Sequence, residues 1–248
     1  MSSRQEILAY LDTLLNVAQY SDYCPNGLQV EGSDEIAHIV SGVTASQALI
    51  EAAIEQKADA LLVHHGYFWK GEAQSITGIK RQRIQRLLES GLNLLAYHLP
   101  LDGHVELGNN AQLARILDIR VEGTAGDANL LFHGSLEQAC SGDAFSNHIE
   151  SCLNRTPEHV SAEREIQRVA WCTGGAQSYI EQAAALGVDA FITGEISEQT
   201  VHIARETGIH FYAAGHHATE RYGVQALGAH LSTEFGLKHT FIDIDNPA

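Results

Sequence analysis

Apolar residues along the chain fall into two alternating periods. After Ser3-x-x-Glu6, a capping-box signature, Ile7, Leu8, Leu11, Leu14 and Leu15 recur at helical spacing and predict a first helix over residues 4–17. Pro25-Asn26-Gly27 is a turn signal, which predicts a loop from Tyr20 to Glu31. Continuous apolar runs then predict strands over Ile36–Val43, Ala60–His64 and Leu92–Tyr97. Between the first two lies a helix from Ser46 to Lys57, with Leu49, Ile50, Ala53 and Ile54 inward. A strand-helix-strand order of this kind makes a parallel, right-handed unit. Further helices are expected over 79–89 and 109–117.

The second half repeats the first. At an offset of 130 residues, Ile39 falls on Val169, Gln47 on Gln177, Glu51 on Glu181, Asp59 on Asp189 and Ala60 on Ala190. Leu92–Tyr97 corresponds approximately to Ile209–Ala214. Helices over 142–153 and 219–235 and a last strand over 240–244 complete the pattern. The expected fold class is α/β, with two related lobes and a cleft between them: residues 1–125, then 126–238, with the C-terminal strand of 239–245 joining the first sheet.

Composition narrows the class. Four cysteines without a Cys-x-x-Cys pair leave no zinc knuckle or redox motif and fit a reducing cytoplasmic setting. No apolar run has the length of a membrane span, so no membrane role is expected. A formal charge of −16 disfavours nucleic acid as a partner. The one basic stretch, Lys80-Arg81-Gln82-Arg83-Ile84-Gln85-Arg86, reads first as a solvated helix face.

Candidate chemistry sits at the predicted strand ends. His64-His65-Gly66 closes an apolar strand; two imidazoles converge there only if the backbone turns, which Gly66 permits. Their readings are a shared metal, or one histidine in the core and the other in water. After the third matched strand each lobe carries a histidine and a carboxylate four apart: His98 with Asp102, and His216 with Glu220. On a helix His216 and Glu220 share a face. Pro100 is expected to keep Asp102 on a loop. Each pair taken alone is more often an accident or a cap than a ligand set, but the set with His64-His65 points to metal.

Asn26-Gly-Leu-Gln-Val, Gly42-Val-Thr-Ala-Ser, Val63-His-His-Gly, His98-x-Pro-Leu-Asp and Gly215-His-His-Ala-Thr-Glu, taken in order, resemble the Nif-three-like family, the GTP cyclohydrolase I type 2 homologues. The resemblance spans nearly the whole chain. It implies a dinuclear centre between two lobes, a ring-shaped homohexamer, and His64, His65, Asp102, His216 and Glu220 as metal ligands. Three imidazoles and two carboxylates are too few for two separate ions, so a carboxylate or water should bridge; Glu220 is the expected bridge. Mixed nitrogen and oxygen ligands suit zinc, iron or manganese. The expected activity is hydrolysis of a nucleotide or related small molecule by a bridging hydroxide, as the family label implies; the alternative is a noncatalytic metal-binding ring or a scaffold for nucleic acid or protein. His98 is read as general acid, as orienting Asp102, or as structural, and Glu195, at the strand exit matching His65, as base, ligand contact or exposed carboxylate. Thr44 and Ser46 are read as an anion site or, for Ser46, a plain helix cap.

Overall fold

Strands as uniformly apolar as Ala60–Val63 need cover on both faces. The computed structural model describes residues 1–248 and forms two units, Met1–Gly108 with Gly223–Asp245, and Asn109–Tyr222 with Asn246–Ala248. In the first, β1 (Ser2–Ser3) leads into α1 (Arg4–Leu14), whose capping box is formed by Ser3 and Glu6. There follow β2 (Gly27–Val30), β3 (Glu35–Ile36), β4 (His38–Thr44), α2 (Gln47–Glu55), β5 (Ala60–His65), α3 (Gly78–Ser90), β6 (Asn93–Ala96) and α4 (Leu99–Gly103). The second unit contains α5 (Asn109–Ile116), β7 (Arg120–Ala125), β8 (Leu131–Cys140), α6 (Gly142–Leu153), β9 (Glu158–Val160), β10 (Ile166–Trp171), α7 (Ile180–Ala185), β11 (Ala190–Thr193), α8 (Glu198–Thr207) and β12 (His210–Ala213). Helix α9 (His216–Phe235) starts among residues of the second unit and ends among those of the first, to which β13 (Lys238–Phe241) also belongs.

The first unit's sheet has the order β13-β4-β5-β6-β2, parallel except for β2. Alternation along its strands sorts the core into two layers. Val40, Leu61, Val63 and Leu94 face α2 and α3 through Leu49, Ile50, Ile84 and Leu87. Ile39, Leu62, Leu95 and Tyr97 face α1 and α9 through Ile7, Leu11, Val224, Leu227 and Leu231. The second unit's sheet, β7-β8-β10-β11-β12-β9, has a parallel centre and antiparallel flanks. Phe132, Val169, Trp171 and Ile192 pack there with Phe145, Ile149 and Leu153 of α6.

The internal repeat extends to hydrogen bonds. Ile39 pairs with Ala60 in one sheet and Val169 with Ala190 in the other. Asp59 Oδ2 accepts the N–H groups of Ala37 and His38 at 2.8 and 2.9 Å, and Asp189 Oδ2 those of Gln167 and Arg168 at 3.0 and 2.8 Å. One aspartate per unit thus fixes where a strand begins.

Three local expectations change. The segment after Tyr20 is not all loop: Gly27–Val30 pairs antiparallel with β6, a strand too short for its period to be read. Asp102 lies in α4 rather than on a loop, because Pro100 occupies the first helical turn, where its missing N–H and fixed φ are no obstacle. Gly66 serves close approach: an added Cβ would stand 2.1 Å from Gln29 Oε1. Ser46 caps α2 by accepting the Leu49 N–H at 3.2 Å.

Candidate metal centre

In the first unit β5 ends at His65, and the two adjacent imidazoles come together with ring centroids 4.5 Å apart. His64 is fully buried; its Nδ1–H donates to the Tyr97 carbonyl at 2.9 Å, which leaves Nε2 as the lone-pair nitrogen, 3.5 Å from Asp102 Oδ1. His65 Nδ1 lies 3.1 Å from Thr44 Oγ1, across the β4–β5 register. His98 joins them: one ring nitrogen from each of His64, His65 and His98 falls within 4.8 Å of the others. His98 Nδ1 donates to Asp22 Oδ1 at 2.7 Å. Asp22 Oδ2 in turn accepts from Asn26 and from the Leu99 N–H, and Asn26 Oδ1 accepts the His98 N–H. Burial pushes the Asp22 carboxyl up, but hydrogen bonds from His98 and Asn26 outweigh it and hold the group at about 2.

The second unit contributes a carboxylate-rich set. Helix α9 opens with His216 and places Glu220 one turn on, with His216 Nε2 and Glu220 Oε2 3.2 Å apart. On the other side of the ring, His216 Nδ1–H donates to Glu195 Oε1 at 2.7 Å. Burial depresses His216, yet Glu220 and Glu195 on its two nitrogens raise it to about 9. Gly174 makes room for this pair: its φ is +68°, and a Cβ there would stand 2.0 Å from Glu220 Oε1 and 3.1 Å from His216 Nε2. Thr219 Oγ1 holds that glycine by accepting its N–H at 3.0 Å, and Thr193 Oγ1 donates to its carbonyl at 3.0 Å.

These donors fit a divalent cation. His64, His98 and His216 each give Nδ1–H to a fixed acceptor, which sets the tautomer and orients Nε2, the arrangement that metal-binding imidazoles use. Two buried carboxylates, Asp102 at 7% exposure and Glu220 at 3%, need positive charge nearby. Of the residues singled out in the sequence, His64, His65, His98 and Asp102 come together in the first unit and Glu195, His216 and Glu220 in the second. Asp22, the Tyr97 carbonyl and Gly174 were not foreseen; they act through contacts remote in sequence, and only the Asn26-Gly27 turn hinted at the first. His217 is buried, its backbone N–H on the Ala248 carbonyl.

Known proteins match this chain along its whole length. A relative from Allochromatium vinosum named GTP cyclohydrolase 1 type 2 homolog is 58% identical, covering 100% of this chain and 98% of its own. A solved structure described as protein ybgI, of unknown function, superposes with a TM-score of 0.97 at 53% identity, covering 100% of both chains. TTHA1606 from Thermus thermophilus gives 0.92 at 32%, again over 100% of each. The family model for DUF34/NIF3 (NGG1p interacting factor 3) matches residues 2–247, and the chain belongs to that family.

Proposed function

We propose that the protein is a metal-dependent hydrolase acting on a nucleotide or related small molecule. His64, His65, Asp102, His216 and Glu220 would hold two divalent ions of zinc, iron or manganese. The observation that supports this best is the set of imidazoles tethered through Nδ1 beside buried carboxylates. Ions bound there acidify water and polarise the group under attack.

The chain's own residues supply the rest. His98, held through Nδ1 by Asp22, presents Nε2 beside His64 and His65, where it can take a proton from the attacking water and pass it to a departing group. Glu195 fixes the His216 ring, and this positioning role fits its geometry better than that of a base. The relatives' name directs the substrate search to guanine nucleotides. We further propose a cytoplasmic ring-shaped homohexamer. No helix is long and apolar enough to cross a membrane.

Metal analysis on protein purified without chelators tests the reading. Wild type should hold about two equivalents per chain, and Asp102→Ala and Glu220→Ala should lose most of the metal and all turnover while remaining folded. Undiminished turnover by metal-stripped protein would overturn it. Sedimentation at micromolar concentration tests the assembly separately.

A further inference from the structure

We propose that the segment after His65 is a binding site for a planar heteroaromatic ring carrying an anionic group, the chemistry of a nucleoside monophosphate. The inference rests on the hydrolase reading above and gives it a substrate subsite. A cavity of about 400 Å³, a volume ordinary for small-molecule sites, is lined chiefly by Phe68, Trp69, Lys70, Glu72, Gln74 and Lys80. Trp69 joins this cavity to the imidazoles: its ring meets His98 edge-on at 5.0 Å and lies 6.0 Å from His65. Its indole N–H is used internally, on the Gly66 carbonyl at 3.2 Å, so what remains for a ligand is ring surface.

Two more aromatic side chains are left in water beside it. Tyr23 is 62% exposed with its ring 6.5 Å from His98, and Phe68 is 36% exposed. Phe68 has φ +64°, a conformation unfavourable to a non-glycine residue. The Lys70 N–H donates to the Tyr23 carbonyl at 2.6 Å, which ties the two aromatic loops together. Exposed aromatic faces next to candidate ligands are surfaces for stacking a ring.

The charges select the second half of the ligand. Lys80 sits 5.0 Å over the Phe68 ring and pairs with Glu72 at 3.1 Å, a neutral couple. The exposed Lys70 ammonium then supplies a net positive charge at the rim, in a chain that is otherwise strongly acidic. A monophosphate on a stacked ring matches that arrangement.

The test uses AMP, adenosine and inorganic phosphate as probes, read by calorimetry and tryptophan fluorescence. Trp171 is fully buried, so quenching by a ligand reports on Trp69. AMP should quench and bind, and Trp69→Ala should weaken it about 10-fold or more with metal content unchanged, while Trp69→Phe restores most of the loss. Lys70→Gln should weaken AMP about 3- to 10-fold and leave adenosine unchanged. Adenosine should quench metal-stripped protein as it does the loaded form. AMP that neither quenches nor releases heat, or binds Trp69→Ala as tightly as wild type, overturns the site while a measured metal content keeps the hydrolase reading alive. Wild type that carries no metal as purified and cannot be reloaded, yet still stacks adenosine, leaves the subsite standing and removes the hydrolase.

Discussion

Gly174 is the residue on which the second unit's donor set depends most directly. Its positive φ and its closeness to Glu220 Oε1 both oppose a side chain. Gly174→Ala should cost about 1–2 kcal/mol from backbone conformation alone, and more through displacement of Glu220. Metal content should fall with it, and full metal occupancy in this variant would show that Glu220 need not sit where it does. Asp22 gives a pH signature. Its folded carboxyl lies at about 2 against an ordinary 3.8, so its stabilisation is present above about pH 4 and disappears as pH falls through 2. Asp22→Asn should lower the unfolding free energy from urea melts at pH 7 by about 1–3 kcal/mol, with the gap closing near pH 2. Burial, reinforced by Asp22, pushes the neighbouring Cys24 thiol up to about 12. Iodoacetamide at pH 8 should leave it unmodified in the folded protein, as peptide mass analysis would show. At this scale the sequence exposed His64-His65, since adjacency is visible in one dimension. It hid Asp22 and Gly174, whose partners lie 76 and about 45 residues away.

Among the elements, the two aspartates that open β5 and β11 are equivalent devices. Each carboxylate oxygen accepts two consecutive backbone N–H groups of the preceding parallel strand. Asp59→Ala and Asp189→Ala should each cost about 1–3 kcal/mol, since two partly buried backbone donors lose their acceptor. Denaturant unfolding checks this, and a cost for either below about 0.5 kcal/mol would mean that water replaces the carboxylate. Asp189 also meets Arg164, so its loss should be the larger. The repeat that aligns these residues was readable because the period of apolar positions survives in both halves. The antiparallel strands β2, β7 and β9 were not: β2 and β9 have only four and three residues and β7 is largely exposed, and they are specified by their neighbours rather than by their own pattern. Helix α4 escaped for another reason, that proline ends a helix only when it lies beyond the first turn.

For the whole molecule, charge is the dominant global property. Copies of a chain carrying −16 repel one another, and that repulsion is screened over about 10 Å at 0.1 M salt. Assembly of the proposed hexamer should therefore strengthen between about 50 and 300 mM salt. Sedimentation profiles that shift toward smaller species over this range would indicate an interface held by opposite charges instead.

The course of the chain has a different consequence. The first unit's sheet takes its edge strand β13 from Lys238–Phe241 and part of its core from Val224, Leu227 and Leu231, all late in the sequence. During synthesis β4 leaves the ribosome about 200 residues ahead of its partner, which at 5–20 residues per second is roughly 10–40 s. For that interval a nascent chain presents an open, apolar parallel edge, the kind of surface that invites pairing with other chains. Protein yield in cells should therefore depend on chaperone supply and translation speed more than equilibrium stability alone predicts.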